Sequence, residues 1–329
     1  MMKNKGRVIV TGGYGFIGSR FVRHLYEKTD YEILVVDKLT YAADTDRIPE
    51  HIKADHKRFR FTPCDISTLF PANLHEWANC DYLVNFAAES HVDNSIEDGR
   101  PFIRTNVEGV LNLLTCMKDN ENFKKFIQIS TDEVYGDVED LRGTAFGTDE
   151  SFKLRPSSYY SASKASADLL VQSAARTYGT PYLITRSCNN YGPGQHKEKF
   201  IPKLVECSVK GVPIGVYGSG TQRREWMNVD DNCSFILFLM ESSVVNEVVN
   251  IGSGEIISNI GVVNLFNESL DSPVEVEYIE DRLGHDKLYY LDSSKLKSLT
   301  DQPRCLSSLE NFLECEAKMS NSTVIHNAR

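Results

Sequence analysis

The stretch Thr11-Gly12-Gly13-Tyr14-Gly15-Phe16-Ile17-Gly18 lies between an apolar segment, Arg7–Thr11, and a segment with apolar residues at helical spacing, Phe16–Lys28. These two segments predict a buried strand followed by a helix. Glycines in a GxGxxG pattern between a strand and a helix allow a tight turn and let the backbone approach a pyrophosphate. The free N–H groups at the helix N-terminus attract that anion. The stretch therefore predicts a dinucleotide-binding turn.

An acidic residue follows the second predicted strand. That strand is Glu32–Val36, and Asp37 stands nineteen residues after Gly18. A carboxylate at this place accepts hydrogen bonds from the adenosine ribose hydroxyls and repels a 2′-phosphate. The sequence therefore predicts NAD, rather than NADP, as the cofactor.

Short apolar runs continue to alternate with helical patterns as far as residue 189. The further predicted strands are Phe59–Phe61, Tyr82–Phe86, Phe126–Ser130 and Tyr182–Thr185, and the predicted helices include Phe102–Met117 and Tyr160–Tyr178. This alternation predicts an α/β fold with a Rossmann-type, doubly wound parallel sheet. We expect an NAD-binding domain over residues 1–189 and a smaller C-terminal substrate-binding lobe formed mainly by residues 190–329. The last thirty residues are polar and show no clear pattern.

Composition excludes several classes of protein. The 329 residues include 36 basic and 46 acidic side chains, a net charge of -10, so we expect no nucleic-acid partner. The longest strongly apolar run, Phe235–Met240, is too short to span a membrane. The eight cysteines form no CxxC pair and no spacing typical of a metal site. We expect reduced thiols, no metal, no membrane partner and a cytoplasmic location.

Two residues in a predicted helix have the spacing of a catalytic pair. Tyr160 and Lys164 are four residues apart, so they share one face of the helix. A nearby ammonium favours the phenolate form of tyrosine, which could then act as a base at neutral pH. Alone, the pair would be ordinary on a helix surface, but the glycine motif upstream favours a catalytic role.

Two adjacent carboxyl groups follow another predicted strand. Asp132 and Glu133, preceded by Thr131, come directly after Phe126–Ser130. Ligands of open α/β sheets bind at the carboxyl ends of the strands. Hydride transfer does not need two carboxyl groups, so the pair indicates a separate acid and base.

Several motifs in this chain resemble those of known enzymes. The glycine stretch, Tyr160 with Lys164, and Asn85–Asp93 resemble the extended short-chain dehydrogenase/reductase superfamily. Within it, the similarity to dTDP-glucose 4,6-dehydratases rests on Ser130–Gly136, Asn189–Pro193, Glu198–Pro202, Arg224–Trp226 and Asp281–Asp286. It extends from about residue 7 to about residue 297. Epimerases and decarboxylases of the superfamily do not usually carry Thr-Asp-Glu at this strand end.

The resemblance implies a reaction, the dehydration of dTDP-glucose to dTDP-4-keto-6-deoxyglucose by internal hydride transfer through bound NAD. Tyr160, assisted by Lys164, would take the proton of the sugar 4-hydroxyl, which Thr131 holds. Glu133 would take the proton on carbon 5, and Asp132 would protonate the departing 6-hydroxyl. These roles require Asp132 to stay protonated and Glu133 to be available as a base.

The resemblance also implies binding residues. Besides Tyr160 and Lys164, the expected cofactor contacts are Gly12, Gly15, Phe16, Ile17, Gly18, Asp37, Lys38, Asp65, Ile66, Ala87 and Ala88. The expected contacts of the sugar nucleotide are Ser90, Asn190, Glu198, Lys199, Arg224, Asn259 and His285. Arg224 is the candidate for the pyrophosphate, since a guanidinium matches phosphate oxygens. A homodimer through the helices near Phe102–Met117 and Tyr160–Tyr178 is also implied.

Some alternatives remain open. The substrate could be another nucleotide sugar, such as UDP-glucose or an N-acetylhexosamine nucleotide. The protein could instead be a nucleotide-sugar epimerase or decarboxylase of the same superfamily, or an NAD-binding protein without catalysis. Lys197 stands where the dehydratases usually have proline, and the segment after Glu316 has no counterpart in them.

Overall fold

A computed structural model describes residues 6–68, 79–138, 147–300 and 308–327. Its strands are β1 (Arg7–Thr11), β2 (Glu32–Asp37), β3 (Phe59–Pro63), β4 (Tyr82–Asn85), β5 (Lys125–Thr131), β6 (Tyr182–Ser187), β7 (Asn189–Tyr191), β8 (Ile214–Tyr217), β9 (Arg223–Asn228), β10 (Glu247–Ile251), β11 (Ile256–Ser258) and β12 (Val276–Ile279). Its α-helices are α1 (Phe16–Lys28), α2 (Glu50–Lys53), α3 (Val92–Glu97), α4 (Gly109–Met117), α5 (Tyr159–Tyr178), α6 (Phe200–Lys210), α7 (Val229–Glu241), α8 (Asn259–Asn267), α9 (Ser294–Leu299) and α10 (Leu309–Asn327). A helical turn, Arg100–Phe102, and a π-helical turn, Ile103–Glu108, lead directly into α4.

Seven parallel strands form the central sheet, in the order β10-β6-β5-β4-β1-β2-β3. Apolar side chains of α1 and α7 pack on one face of the sheet, and those of α4 and α5 pack on the other. The strand order reverses direction between β1 and β4, which leaves a crevice at their carboxyl ends. The predicted Rossmann-type doubly wound fold is confirmed.

A smaller lobe contains two short sheets and its own apolar core. Strand β9 lies between β7 and β11, and β8 pairs with β12. Helices α6, α8 and α10 contribute to the core of the lobe. In α10, Leu309, Leu313 and Ala317 are fully buried at four-residue spacing, so they share one face of the helix. The C-terminal segment shows no clear pattern in the sequence, yet it forms a helix that completes this core.

Residues after 190 do not all lie in the smaller lobe. Strand β10 pairs with β6 in the central sheet, and α7 packs against α1 beneath it. The second half of the chain therefore builds part of the NAD-binding domain as well as the smaller lobe. No helix among the described residues has both the length and the apolar character that a membrane crossing requires.

A buried lysine links the two halves of the chain. Lys125 begins β5, is almost fully buried, and donates through Nζ to the carbonyls of Leu239 (2.9 Å), Met240 (3.2 Å) and Ser242 (3.0 Å) at the end of α7. Carbonyls in the last turn of a helix lack a backbone partner within it. The ammonium, together with the Ser242 hydroxyl that donates to Leu239 (2.8 Å), therefore caps the C-terminus of α7.

We expect Lys125→Met to lower the free energy of unfolding by about 3 kcal/mol, because it removes the ammonium that donates to three carbonyls at the end of α7. Lys124→Met is the matched control. The Lys124 side chain is half exposed and pairs with Asp81 at 2.8 Å, so we expect a loss below about 1 kcal/mol. Urea denaturation of both variants measures the difference. Equal losses would show that the contacts of Lys125 contribute no more than a surface ion pair.

Candidate active site

A cavity of about 380 Å³ opens at the carboxyl ends of the central strands. Its size is within the range typical of small-molecule sites. Every residue expected to contact the cofactor lies in its wall: Gly12, Gly15, Phe16, Ile17, Gly18, Asp37, Lys38, Asp65, Ile66, Ala87, Ala88, Tyr160 and Lys164. The structure therefore brings together residues that are spread over more than 150 positions of the sequence.

Two glycines of the turn, Gly12 and Gly18, have no space around them for a side chain. Gly12 has a φ of +66°, and a Cβ there would lie 2.6 Å from the backbone nitrogen of Ala87. A Cβ on Gly18 would lie 2.2 Å from the carbonyl oxygen of Gly12. Helix α1 has no side-chain cap and no acidic residue in its first turn, so its free N–H groups are available for an anion.

Asp37 ends β2 in the wall of the cavity and is almost fully buried. Its carboxylate accepts hydrogen bonds from the backbone N–H groups of Tyr14 (3.0 Å) and Leu39 (2.8 Å). The carboxylate therefore fixes the glycine turn to the loop after β2. The carboxylate has further lone pairs that can accept hydrogen bonds from ribose hydroxyls, which is the role that the sequence predicts.

Three catalytic candidates lie where β5 runs into a 3-10 turn, Asp132–Tyr135. The Thr131 hydroxyl accepts a hydrogen bond from the backbone N–H of Glu133 (3.3 Å) and donates to Oδ1 of Asp132 (3.0 Å). Thr131 and Glu133 lie in the cavity wall with Tyr160 and Lys164. Asp132 is only 2% exposed and lies behind that wall.

The two neighbouring carboxyl groups have different environments. Burial raises the pKa of Asp132 well above its usual range, and the neighbouring charge of Glu133 adds to the effect. Burial also raises the pKa of Glu133, but the positive charges of Arg224 and Lys199 oppose this rise. Oδ2 of Asp132 has no hydrogen-bond partner among the described residues. The environment therefore favours a protonated Asp132 beside a more readily ionised Glu133.

The Tyr160 phenol and the Lys164 ammonium have different surroundings in the cavity. Burial raises the pKa of Tyr160, the nearby Glu133 and Asp132 carboxyls raise it further, and a hydrogen bond with Thr131 opposes them. The ammonium of Lys164 instead donates to the backbone carbonyl of Ile129. The prediction that this ammonium favours the phenolate form of Tyr160 stays a prediction.

The expected substrate residues separate into two groups. Ser90, Asn190, Glu198 and Lys199 lie in the cavity wall, whereas the other three do not. Arg224 is almost fully buried, donates to the carbonyl of Asp286 (2.8 Å) and lies over the Tyr289 ring (4.3 Å).

The remaining two residues lie at other points of the smaller lobe. His285 Nδ1 is 2.7 Å from an Asp281 carboxylate oxygen. Asn259 is the first residue of α8, and its backbone N–H donates to the carbonyl of Gln222 (3.1 Å). The cavity wall therefore includes four of the seven expected substrate contacts, and the other three line no part of it.

Residues 8–252 match the NAD dependent epimerase/dehydratase family. The chain belongs to this family. A relative from Haloferax volcanii, low-salt glycan biosynthesis protein Agl12, is 44% identical over 308 residues, which cover 93% of this chain and 96% of the relative.

Solved structures of both dehydratases and epimerases have the same fold. DesIV, the dTDP-glucose 4,6-dehydratase of Streptomyces venezuelae crystallised with NAD, is 37% identical with a TM-score of 0.87, covering 96% of this chain and 97% of that chain. UDP-glucuronic acid 4-epimerase from Bacillus cereus, crystallised with NAD and UDP-glucuronic acid, is 25% identical with a TM-score of 0.87, covering 96% of this chain and 99% of that chain.

NAD is the cofactor of this NAD dependent epimerase/dehydratase family member. Gly12 and Gly18 leave no space for a side chain, the first turn of α1 is uncapped, and an acidic residue ends β2. These three features fit a pyrophosphate and an adenosine ribose that lacks a 2′-phosphate. The prediction of NAD is confirmed.

Sequence reasoning missed a contact between the lobes of this family member. Arg282, in the loop before α9, lies with Nε 2.6 Å and Nη2 3.0 Å from the carboxylate of Asp93 in α3. Both residues stand in segments that carried the family resemblance, yet neither had a predicted role. Because the two are 189 positions apart, only the opposite charges of the side chains could have suggested the pair.

Proposed function

We propose that the protein is a nucleotide-sugar 4,6-dehydratase that converts dTDP-glucose to dTDP-4-keto-6-deoxyglucose. One observation carries the proposal, the unequal environments of Asp132 and Glu133 beside Tyr160. Elimination of water needs a base for the carbon-bound proton and an acid for the leaving hydroxyl. An epimerase needs no acid for water loss, so the protonated carboxyl would have no task in it.

Each catalytic side chain has one proton to hold or move. Tyr160 takes the proton of the sugar 4-hydroxyl, with Thr131 orienting that hydroxyl. The resulting ketone at carbon 4 acidifies carbon 5, and Glu133 removes the carbon 5 proton. Asp132 gives its proton to the 6-hydroxyl, which leaves as water while a double bond forms between carbons 5 and 6. When bound, NAD supplies the hydride acceptor for carbon 4 and the hydride donor for carbon 6. Glu133 then returns a proton to carbon 5, which completes the 4-keto-6-deoxy product.

The likeness to a dTDP-glucose 4,6-dehydratase at 37% identity supports this substrate. The likeness to a UDP-glucuronic acid 4-epimerase at 25% identity makes epimerisation the second candidate. Thymine and uracil differ by one methyl group, which contributes only about 1–3 kcal/mol to discrimination. The preference for thymine over uracil is therefore the most detailed claim in the proposal.

Mass analysis of the product tests the function. Purified protein is incubated with NAD and either dTDP-glucose or UDP-glucose. A dehydratase lowers the substrate mass by that of one water molecule without net production of NADH, and the two rates rank the nucleotides. An epimer of unchanged mass would support the second candidate, and unreacted substrate in both incubations would contradict the proposal.

We also propose a homodimer formed through α4 and α5. Apolar side chains of these helices and of the preceding π-helical turn are about half exposed, namely Ile103, Leu111, Tyr159 and Leu169. The two helices pack on the same face of the sheet, so these side chains extend from adjacent elements. Exposed apolar side chains on neighbouring helices are typical of an interface between subunits.

We expect Leu169→Asp to dissociate the dimer. A buried leucine contributes about 1.5–3 kcal/mol, and its loss from both subunits raises the dissociation constant by about 10²–10⁴. Sedimentation velocity measures the change. Leu283→Asp is the matched control, since Leu283 is 80% exposed in the loop before α9. A monomeric wild type, or equal effects of both substitutions, would refute this interface.

A further inference from the structure

A buried ion pair lies behind the active site. Asp168 stands one helical turn after Lys164 in α5 and is fully buried. Its Oδ2 accepts a hydrogen bond from Nε of Arg186 in β6 at 3.0 Å, and both side chains are almost completely excluded from solvent. Neither residue lies in the cavity wall, so this pair does not contact the ligands directly.

Further buried contacts hold the guanidinium in place. Arg186 Nη1 donates to the hydroxyl of Tyr135 (2.9 Å), and that hydroxyl donates to Oδ1 of Asn250 (2.8 Å). The guanidinium also lies over the Tyr135 ring, 4.9 Å from its centroid. The amide of Asn250 in turn donates to the carbonyl of Thr148 (2.9 Å). Burial raises the pKa of Asp168, and the fixed positive charge of Arg186 opposes this rise.

Such a pair is costly in a protein interior. Desolvation of two charges often exceeds their mutual attraction, and apolar residues of similar volume would serve stability as well. The neighbouring Lys164 offers a reason for the presence of the Asp168–Arg186 pair. Lys164 is itself only 5% exposed, and the described hydrogen bond of its ammonium goes to one backbone carbonyl. A buried ammonium without a nearby negative charge loses its proton.

We propose that Asp168 is a positioning residue of the active site, which, held by Arg186, keeps the Lys164 side chain charged inside the cofactor cavity. The proposal rests on the proposed function only where it takes Lys164 as a catalytic group. The contact of Lys164 with bound NAD belongs to the cofactor site and can be measured separately.

The electrostatic environment agrees with this geometry. Burial lowers the pKa of Lys164 to about 8, and the negative charge of Asp168 opposes that fall. Arg186 in β6 faces Asp168 rather than the cavity. Tyr160 of the same helix and Glu133 after β5 line the cavity together with Lys164, and Asp132 acts on Tyr160 from behind them. Removing the charge of Asp168 alone would leave Lys164 facing the unpaired cation of Arg186.

NADH affinity measured against pH tests the proposal without requiring turnover. In the wild type, affinity should fall as pH rises through about 8, where Lys164 loses its proton. In Asp168→Asn the midpoint of this fall should move at least about one pH unit lower, because an opposite charge nearby shifts a pKa by about 1–3 units. In Lys164→Met the fall should disappear, and adding Asp168→Asn to that variant should then leave the pH profile unchanged.

The outcomes separate a positioning role from a structural one. An unchanged midpoint in Asp168→Asn, or a shift that persists in the Lys164→Met background, overturns the proposal. If Asp168→Asn does not fold, the double variant Asp168→Asn/Arg186→Met removes both buried charges. Its midpoint should still fall, but by less, because the repulsion from Arg186 is also gone. Absence of dehydration by the wild type would refute the proposed function and would leave this binding test intact.

Discussion

Replacing Tyr160 by phenylalanine is expected to lower kcat for dehydration about 10³-fold, because a positioned acid–base group contributes roughly 10²–10⁴. The substitution removes only the hydroxyl, and the ring can keep its edge contact with Phe102. We therefore expect KM to change little. Tyr159→Phe is the matched control, since Tyr159 is the preceding residue of the same helix, lies outside the cavity wall, and keeps its ring for the proposed dimer contact.

The comparison of these two neighbouring tyrosines decides which face of α5 carries the chemistry. Product formation by mass spectrometry gives kcat and KM for both variants. The assignment fails if Tyr160→Phe retains more than about a tenth of the wild-type rate, or if Tyr159→Phe is equally impaired.

Glu133→Gln is expected to have a similarly large effect, about 10³-fold on kcat. The amide cannot accept the proton from carbon 5, so solvent deuterium should no longer enter the product at that carbon. Glu121→Gln makes the same chemical change at an exposed site before β5 and should leave the rate unchanged. Deuterium incorporation in the residual product is measured by NMR.

The direction in which wild-type activity changes with pH also follows from Glu133. A general base works in its ionised form, and burial raises the pKa of Glu133. Activity should therefore rise with pH through a midpoint above the ordinary range of a glutamic acid. Unchanged deuterium incorporation in Glu133→Gln would assign the base to another residue.

The sequence predicted the fold around the cavity and the identity of the cofactor well, because both depend on local patterns. The glycine turn, Asp37 and the first six strands of the sheet each follow from a short motif or an apolar run. Strand ends differed from prediction by one or two residues, as with Lys125–Thr131 for the predicted Phe126–Ser130. Parallel pairing of these strands then brings their carboxyl ends together without further information.

The remaining features depend on contacts between distant segments. Lys164 bonds to the Ile129 carbonyl, and the Asp168–Arg186 pair joins a helix to a strand, neither of which helical spacing reveals. The return of β10 to the central sheet follows from pairing with β6 over 60 residues away. The apolar face of α10 was missed because its three buried side chains are widely spaced in a polar segment.

The position of β10 also has a consequence for synthesis on the ribosome. Strand β6 ends at residue 187, but β10, which pairs with it, ends only at residue 251. At roughly 5–20 residues per second, the ribosome needs about 3–13 s to make the intervening 64 residues. Throughout that interval the nascent chain presents an unpaired, apolar strand edge, which is the kind of surface that seeds aggregation. The same interval leaves Lys125 without the carbonyls that it caps, so the NAD-binding domain reaches its final form only after much of the smaller lobe has been translated.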